Sequence, residues 1–357
     1  MSQTFVEASA CLRHARGYWE VFPVADHVAQ KTAYRQMMKL VHPDRVESSL
    51  RTEANELVRL LGAFYTEAQA AAKTSSYGRK VTKTTMSSRR MKHVLGPEFS
   101  VSGDVTKLFR AMSDATADSL VKVARQPVDN DLLAAEASTL KLLQSQSGDE
   151  FRRFYPELLD TFLVPDGRKR LRVNVLSYMD GFYNLEQVRK FRPGGLEPLD
   201  AAWVWRRMLW ALGRVHELGV VHGALTPAHV IIHPAQHGVL LADWCYSLQT
   251  SDNTFSHLKA VVPSRRSWYP ASVFAKQPTS KAADLSMAAR TMIYLLGGDA
   301  LSMSMPNQVP SLMQRYFMEL VTGKNSGSAF EQLERFDTVL QTLGVPYFPR
   351  RFKELVL

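Results

Sequence analysis

Histidine, cysteine and clustered lysine or arginine are the side chains whose spacing in this sequence could do chemistry. Five histidines fall within 22 residues: His216, His222, His229, His233 and His237. The steps of four from His229 to His233 to His237 would converge on a metal ion if the segment were helical. Val230-Ile231-Ile232 instead reads as a strand entering a hairpin near Gly238, and adjacent strand residues face opposite sides, so no transition-metal site is expected there. The two cysteines, Cys11 and Cys245, are far apart and in no metal-binding or redox spacing. Lys31, Arg35 and Lys39 recur at i, i+4 and i+8, which on a helix makes one positive stripe. The stripe runs directly into His42-Pro43-Asp44-Arg45. It fits an acidic protein surface; the plainer alternative is a solvated helix face.

The elements that must carry these residues follow from periodicity. A helix over residues 27–41 puts Ala33, Tyr34, Met37, Leu40 and Val41 on one face, with Asp26 placed to cap its start. It ends near Val41, because His42 precedes Pro43 and that position disfavours helical backbone. A second helix over about 49–72 presents Leu57, Leu60, Leu61, Phe64 and Ala68. Together they make an antiparallel hairpin that Tyr18, Trp19, Val21 and Phe22 can pack against. Residues 74–95 change texture: serine, threonine and glycine alternate with Arg79, Lys80, Lys83, Arg89, Arg90 and Lys92, and no acidic residue occurs. Such a segment reads as a basic flexible linker. With only Tyr77 to stack on a base, it is a poor nucleic-acid platform. Beyond it, strand-like runs over 99–123 and 171–176 alternate with helical patterns over 130–143 and 201–218, as in an α+β domain. Trp203, Trp205 and Trp210 are assigned to the core side of the last of these.

The register from Ala33-Tyr34-Arg35 through His42-Pro43-Asp44-Arg45, thirteen residues without a gap, resembles the J-domain signature of DnaJ co-chaperones. Tyr18-Trp19-Glu20-Val21-Phe22 resembles the short first helix of that family, and Phe64-Tyr65 falls where its third helix keeps an aromatic. Gln36 departs from the commonest pattern, where a basic residue stands. The resemblance implies a domain over 1–75, core about 16–73, that stimulates ATP hydrolysis by a DnaK-type chaperone. Lys31, Arg35, Lys39, His42, Pro43, Asp44 and Arg45 would form the contact.

From about residue 97 to 345 the order of segments resembles the eukaryotic-type protein-kinase fold. Leu120-Val121-Lys122-Val123 looks like the third-strand lysine motif, and Glu136 sits on the helix that supplies its partner. Leu176-Ser177-Tyr178-Met179-Asp180 looks like the hinge between lobes. Residues 222–230 align with the catalytic loop, Ala242-Asp243-Trp244-Cys245 with the metal-binding Asp-Phe-Gly motif, and Ala283-Asp284-Leu285-Ser286 with the structural aspartate of the large lobe. The departures bear on chemistry. Ala224 stands where the family keeps the aspartate that orients the substrate hydroxyl. Gly223 replaces an arginine and Thr226 the loop lysine. His229 replaces the asparagine that binds a second metal ion, and nitrogen suits magnesium poorly. Around the first strands only Gly96 and Gly103 remain of a phosphate-cradling loop, and Asp104 opposes one. His222 is expected to pack beneath the loop. The resemblance therefore implies a pseudokinase with no catalytic residue at His222, Ala224, Thr226 or His229. Lys122, Glu136 and Asp243 would be left to hold ATP, with Asp243 on Mg or Mn. The alternatives to such holding are a structural ion pair, or an atypical kinase or nucleotidyltransferase.

The whole sequence is then expected to be α+β: a small all-α J-domain hairpin, a linker over 76–95 and a bilobal kinase-like domain over 96–357. Apolar residues at 45% and charged residues at 22% are ordinary for a globular chain and exclude wholesale disorder. A formal net charge of +10 favours acidic partners. No apolar run approaches the roughly 20 residues that span a bilayer; the most apolar stretch, Trp203 to Val215, is broken by Arg206, Arg207 and Arg214. The sparse cysteines and the lack of an apolar leader point to a reducing, cytoplasmic compartment. The expected partners are a DnaK-type chaperone and a client protein of unknown identity, with neither membrane nor nucleic acid.

Overall fold

The structure, a computed structural model, describes residues 4–15, 17–72, 77, 85–99, 103–113, 117–250, 252, 254–324 and 327–344. The chain divides between residues 83 and 84 into two compact units of mixed secondary structure: helices alone in the first, helices and sheet in the second.

In the first unit α1 (Phe5–His14), α2 (Tyr18–Val21), α3 (His27–Val41) and α4 (Arg51–Ala72) share one core around Leu12, Phe22, Val41, Leu57 and Leu61. Asp26 caps α3 through the backbone N–H of Ala29 at 2.7 Å, as expected. The helix stops where His42 turns extended (φ −67°, ψ 130°) before Pro43, and a 3-10 turn over Pro43–Arg45 follows. α1 was not foreseen. Thr4 and Glu7 form a reciprocal capping box at its start. Its apolar side, Ala8 and Leu12, is fully buried, and Ser9 donates to Glu53 of α4 at 2.8 Å.

The second unit opens with a six-stranded antiparallel sheet in the order β1-β2-β3-β4-β6-β5. Its strands are β1 (Thr85–Ser87), β2 (Lys92–Glu98), β3 (Thr106–Ser113), β4 (Ala117–Ala124), β5 (Leu158–Asp166) and β6 (Lys169–Ser177). One face carries α5 (Asn130–Gln146), followed by α6 (Asp149–Arg152); the other face has its own small core of Leu95, Val121, Val123, Val173 and Val175. The larger core belongs to the helical part: α7 (Leu185–Phe191), α8 (Pro198–Glu217), α9 (Ala271–Phe274), α10 (Lys281–Leu295), α11 (Ser311–Val321) and α12 (Ala329–Thr342). Short strands accompany these helices: β7 (Tyr183–Asn184), β8 (Val220–Val221), β9 (Val230–His233), β10 (Gly238–Leu241) and β11 (Leu248–Gln249), with β9 and β10 the expected hairpin.

Three expectations are corrected. Residues 85–95 are not linker but β1 and most of β2, whose ladder with β3 fixes them despite their polar texture. Tyr77 is likewise fixed in the first unit, donating its hydroxyl to the Phe22 carbonyl at 2.6 Å; residues 78–84 lie outside the described ones. Trp210 is 40% exposed, stacked on Phe151 and edge-on to Phe330, whereas Trp203 and Trp205 are core residues as expected.

Candidate functional site

The second unit holds a cleft of about 390 Å³, within the usual range of small-molecule sites. Leu108 of β3, Leu120 of β4 and Leu176 of β6 line it together with Ile231 of β9 and Leu240 of β10, making an apolar slot. Lys122, His229 and Asp243 stand at its polar end.

Lys122 is 3% exposed. Its ammonium donates to Glu136 Oε1 at 2.6 Å and to Asp243 Oδ1 at 2.8 Å, and lies 3.5 Å from Cys245 Sγ. Burial alone would push this lysine down; Asp243, with Cys245 and Glu136, outweighs it and holds the ammonium well above its ordinary range. Glu136 is fully buried on α5, and its second oxygen accepts from Asn174 Nδ2 at 2.9 Å. Asn174 also donates to the Leu133 carbonyl at 2.8 Å, so one β6 side chain ties α5 to the sheet and aims the glutamate. The ligand atoms of Glu136, Asp243 and Cys245 lie within 4.8 Å of one another, as metal ligands would. The Lys122 ammonium already fills the point on which they converge.

Asp243 takes a left-handed backbone (φ 61°, ψ 68°), uncommon for a side chain other than glycine. Both its oxygens are engaged: Oδ1 by Lys122, and Oδ2 by His229 Nε2 at 3.1 Å. Burial opposes its ionisation, but Lys122 and His229 hold it well below the carboxylate range. His229 Nδ1 faces the Ala224 carbonyl at 2.8 Å. Both ring nitrogens therefore face acceptors, which only an imidazolium can satisfy. Burial would lower this histidine; the Asp243 carboxylate raises it instead. Cys245 is held as a neutral thiol, pushed well up by burial and by the neighbouring carboxylates Asp243 and Glu136.

The loop below is clamped from α10. Asp284 accepts from the backbone N–H groups of His222 at 2.7 Å and Gly223 at 2.8 Å, and faces His216 Nε2 at 3.1 Å. His222 is fully buried against Trp244, ring centroids 4.4 Å apart. Its Nε2 donates to the Ala242 carbonyl at 3.0 Å and its Nδ1 accepts from the Ala224 N–H at 3.3 Å, fixing the neutral tautomer. Gly223 is glycine for two reasons: φ is +75°, and a Cβ would meet the Tyr246 carbonyl oxygen at 2.5 Å.

The sequence-derived residues thus separate into two groups. Lys122, Glu136, Asp243 and His229 converge. Ala224 and Thr226 are fully buried and do not line the cleft, while His233 and His237 turn elsewhere, onto Phe182 and Trp203. Gly103 and Asp104 do reach the cleft. Sequence reading missed Asn174, Cys245, and Val262 and Ser264, which also line the cleft next to Arg265, itself paired with Glu186 of α7 at 2.5 Å. A polar Asn174 among Val173, Val175 and Leu176 was a usable signal; nothing in the sequence marks the Arg265–Glu186 pair.

In the first unit Lys31, Arg35 and Lys39 are all exposed, and among the described residues none has a carboxylate within 4 Å. His42 Nδ1 accepts from the Asp44 N–H at 3.2 Å and so caps the turn, while the Asp44 side chain stays exposed. Arg45 is exposed beside it. Comparison with protein-family models and with curated proteins finds no match to this chain. No described helix is long and apolar enough to cross a membrane.

Replacing Lys122 by Ala leaves Glu136 and Asp243 buried without their cation. The expected cost is about 3–5 kcal/mol, read as a loss of urea resistance of the second unit. A second expectation concerns pH. Burial holds His222 down to about 4, against about 6.5 unfolded. The folded state therefore binds fewer protons between those values. The stability this contributes is complete above pH 6.5 and falls away as pH drops toward 4, by about 3 kcal/mol in all. Melting temperatures of His222→Asn should fall less steeply over that window than those of wild type.

Proposed function

We propose that the chain is a J-domain-type co-chaperone whose second unit is a pseudokinase-like recognition module able to hold a nucleotide. The observation that carries the first part is the exposed row Lys31, Arg35 and Lys39, without a carboxylate partner among the described residues, ending at a turn in which Asp44 points to solvent. A positive helix face of this kind suits the acidic face of a DnaK-type chaperone, steering the encounter and fixing its register. His42 and Pro43 set the turn that presents Asp44 and Arg45.

For the second part, an apolar slot whose polar end holds Lys122, His229 and Asp243 suits a planar base joined to phosphates. Lys122 would meet a phosphate oxygen, and Asp243 would share a magnesium or manganese ion that shields the phosphate charge. His229 bears on the strength of that binding, because a cation already occupies Asp243 Oδ2 at 3.1 Å. Phosphate transfer is not part of the reading. Ala224 can take no proton, and it and Thr226 are walled off from the cleft by burial. Ala224→Asp would place a carboxylate in the core rather than restore a base.

The test uses the full chain and a DnaK-type chaperone with labelled ATP. Wild-type protein should raise the chaperone's ATPase rate several-fold. His42→Gln and the charge reversal Arg35→Glu should each remove the effect without changing helicity. In the same preparation, ATP with magnesium should raise the melting temperature of the second unit, as a ligand of the folded state does. Absence of stimulation by the wild-type protein would defeat the co-chaperone reading. Transfer of the α- or γ-phosphate that depends on Asp243 would favour an atypical kinase or nucleotidyltransferase instead.

A further inference from the structure

Away from the cleft, the second unit has a groove of about 820 Å³ along the outer edge of β5. It shares no residue with the cleft. β5 ends the sheet: it pairs with β6 on one side, and on the other with no described strand. A strand edge is a row of backbone donors and acceptors, which proteins ordinarily cover or blunt. Here the Thr161 N–H is met by Asp160, Gln144 bonds Leu158 and Pro165 has no N–H, so what the edge offers a partner is chiefly carbonyl oxygens.

Cations flank that edge on both faces of the sheet. Thr161 of β5 bonds Asn174, which points at α5, so the α5 face of the edge carries Thr161, and Leu163 beside its cross-strand partner Arg172. Arg170 of β6 and Lys141 of α5 border the groove with them. On the opposite face Phe162 stacks on His93, and the turn after β1 brings up Arg89 and Arg90. Among the described residues none of these five cations has a carboxylate within 4 Å. The acidic residue of the groove, Asp160, lies 3.9 Å from His93 Nε2 and accepts from the Thr161 N–H at 2.8 Å. One carboxylate against five cations leaves the groove net positive.

We propose that this groove docks an extended acidic segment of a partner protein, added to the sheet as a strand beside β5. A strand presents alternate side chains to the two faces. Carboxylates at alternate positions would meet Lys141, Arg170 and Arg172 on one face, and those at the intervening positions Arg89 and Arg90 on the other. The edge carbonyls select a polypeptide over other polyanions, since neither a nucleic acid nor a lipid headgroup supplies a ladder of backbone N–H donors at strand spacing. The groove thereby gives the proposed recognition module a surface for its partner, independent of whether the cleft binds nucleotide.

The probe is a fluorescein-labelled peptide of nine glutamates, which presents carboxylates to both faces, matched to the nine residues of β5 and titrated onto the full chain by anisotropy. Two further peptides carry N-methyl groups at alternate residues, one in each register. One of the two should bind at least tenfold more weakly than the parent and the other nearly as well, because only one register turns its N–H groups to β5. The double variant Arg89→Glu/Arg90→Glu and the single variant Arg170→Glu, all at exposed positions, should each weaken binding at least tenfold with melting temperature unchanged. Equal binding of both N-methylated peptides would reduce the groove to a charged patch and overturn the proposal. So would indifference to the reversals, or an oligonucleotide or anionic vesicle that binds more tightly than the peptide in an Arg89-dependent way.

Discussion

A single buried ammonium constrains the second unit more than any other group. Lys122 sits in β4 with almost no access to water, and an unpaired charge there would cost several kcal/mol. It is tolerable because Glu136 on α5 and Asp243 after β10 bring two carboxylates within 2.8 Å. Each neutralising group needs its own support. Glu136 is aimed by Asn174 of β6, which also ties α5 to the sheet through Leu133. Asp243 holds a left-handed backbone, and His229 engages its remaining oxygen. Sheet, α5 and the Asp243 segment therefore meet at one nitrogen atom, and the loop at 222–229 reaches it only through His229 and Asp243.

The same arrangement separates holding a ligand from transforming one. The charges at the end of the slot, Lys122 and His229 against Glu136 and Asp243, are held in fixed positions by one another. The loop that would have to carry a base is instead part of the core. Asp284 pins it from below, Gly223 passes too close to the Tyr246 carbonyl to bear a side chain, and Ala224 is sealed. That loop positions His222 and His229, and through them the Asp243 segment, so its role here is architectural. The proposed pseudokinase character then follows from burial as much as from residue identity.

Much of this was legible in the sequence where one force dominates. The α3–α4 hairpin follows from helical periodicity, and its break at His42 from the proline that comes next. Lys122, Glu136 and Asp243 could be named only because their segments resemble protein-kinase motifs; periodicity and spacing alone do not bring them together. What stayed hidden depends on tertiary partners. β1 and β2 have the composition of a tether, and only the ladder with β3 makes them strands. The helix α1 has few large apolar residues, and Leu12 and Ala8 matter because α3 and α4 supply the other half of their core. His229 was read as a missing asparagine and as one of a run of histidines. Its place between the Ala224 carbonyl and Asp243 needed the fold of the loop. The groove beside β5 could not be read at all, since it is built from a turn, a helix and two strands far apart in sequence.

The central claim is that the cleft holds a phosphate-bearing ligand and leaves it intact. The most direct measurement is the phosphorus NMR spectrum of ATP and magnesium kept with the full chain for hours. The account predicts broadened nucleotide lines that sharpen again with Asp243→Asn, and no growth of ADP, AMP or free phosphate. Sharp lines identical to those of free ATP would contradict the binding half. Steady appearance of ADP or AMP that disappears with Asp243→Asn would contradict the other half.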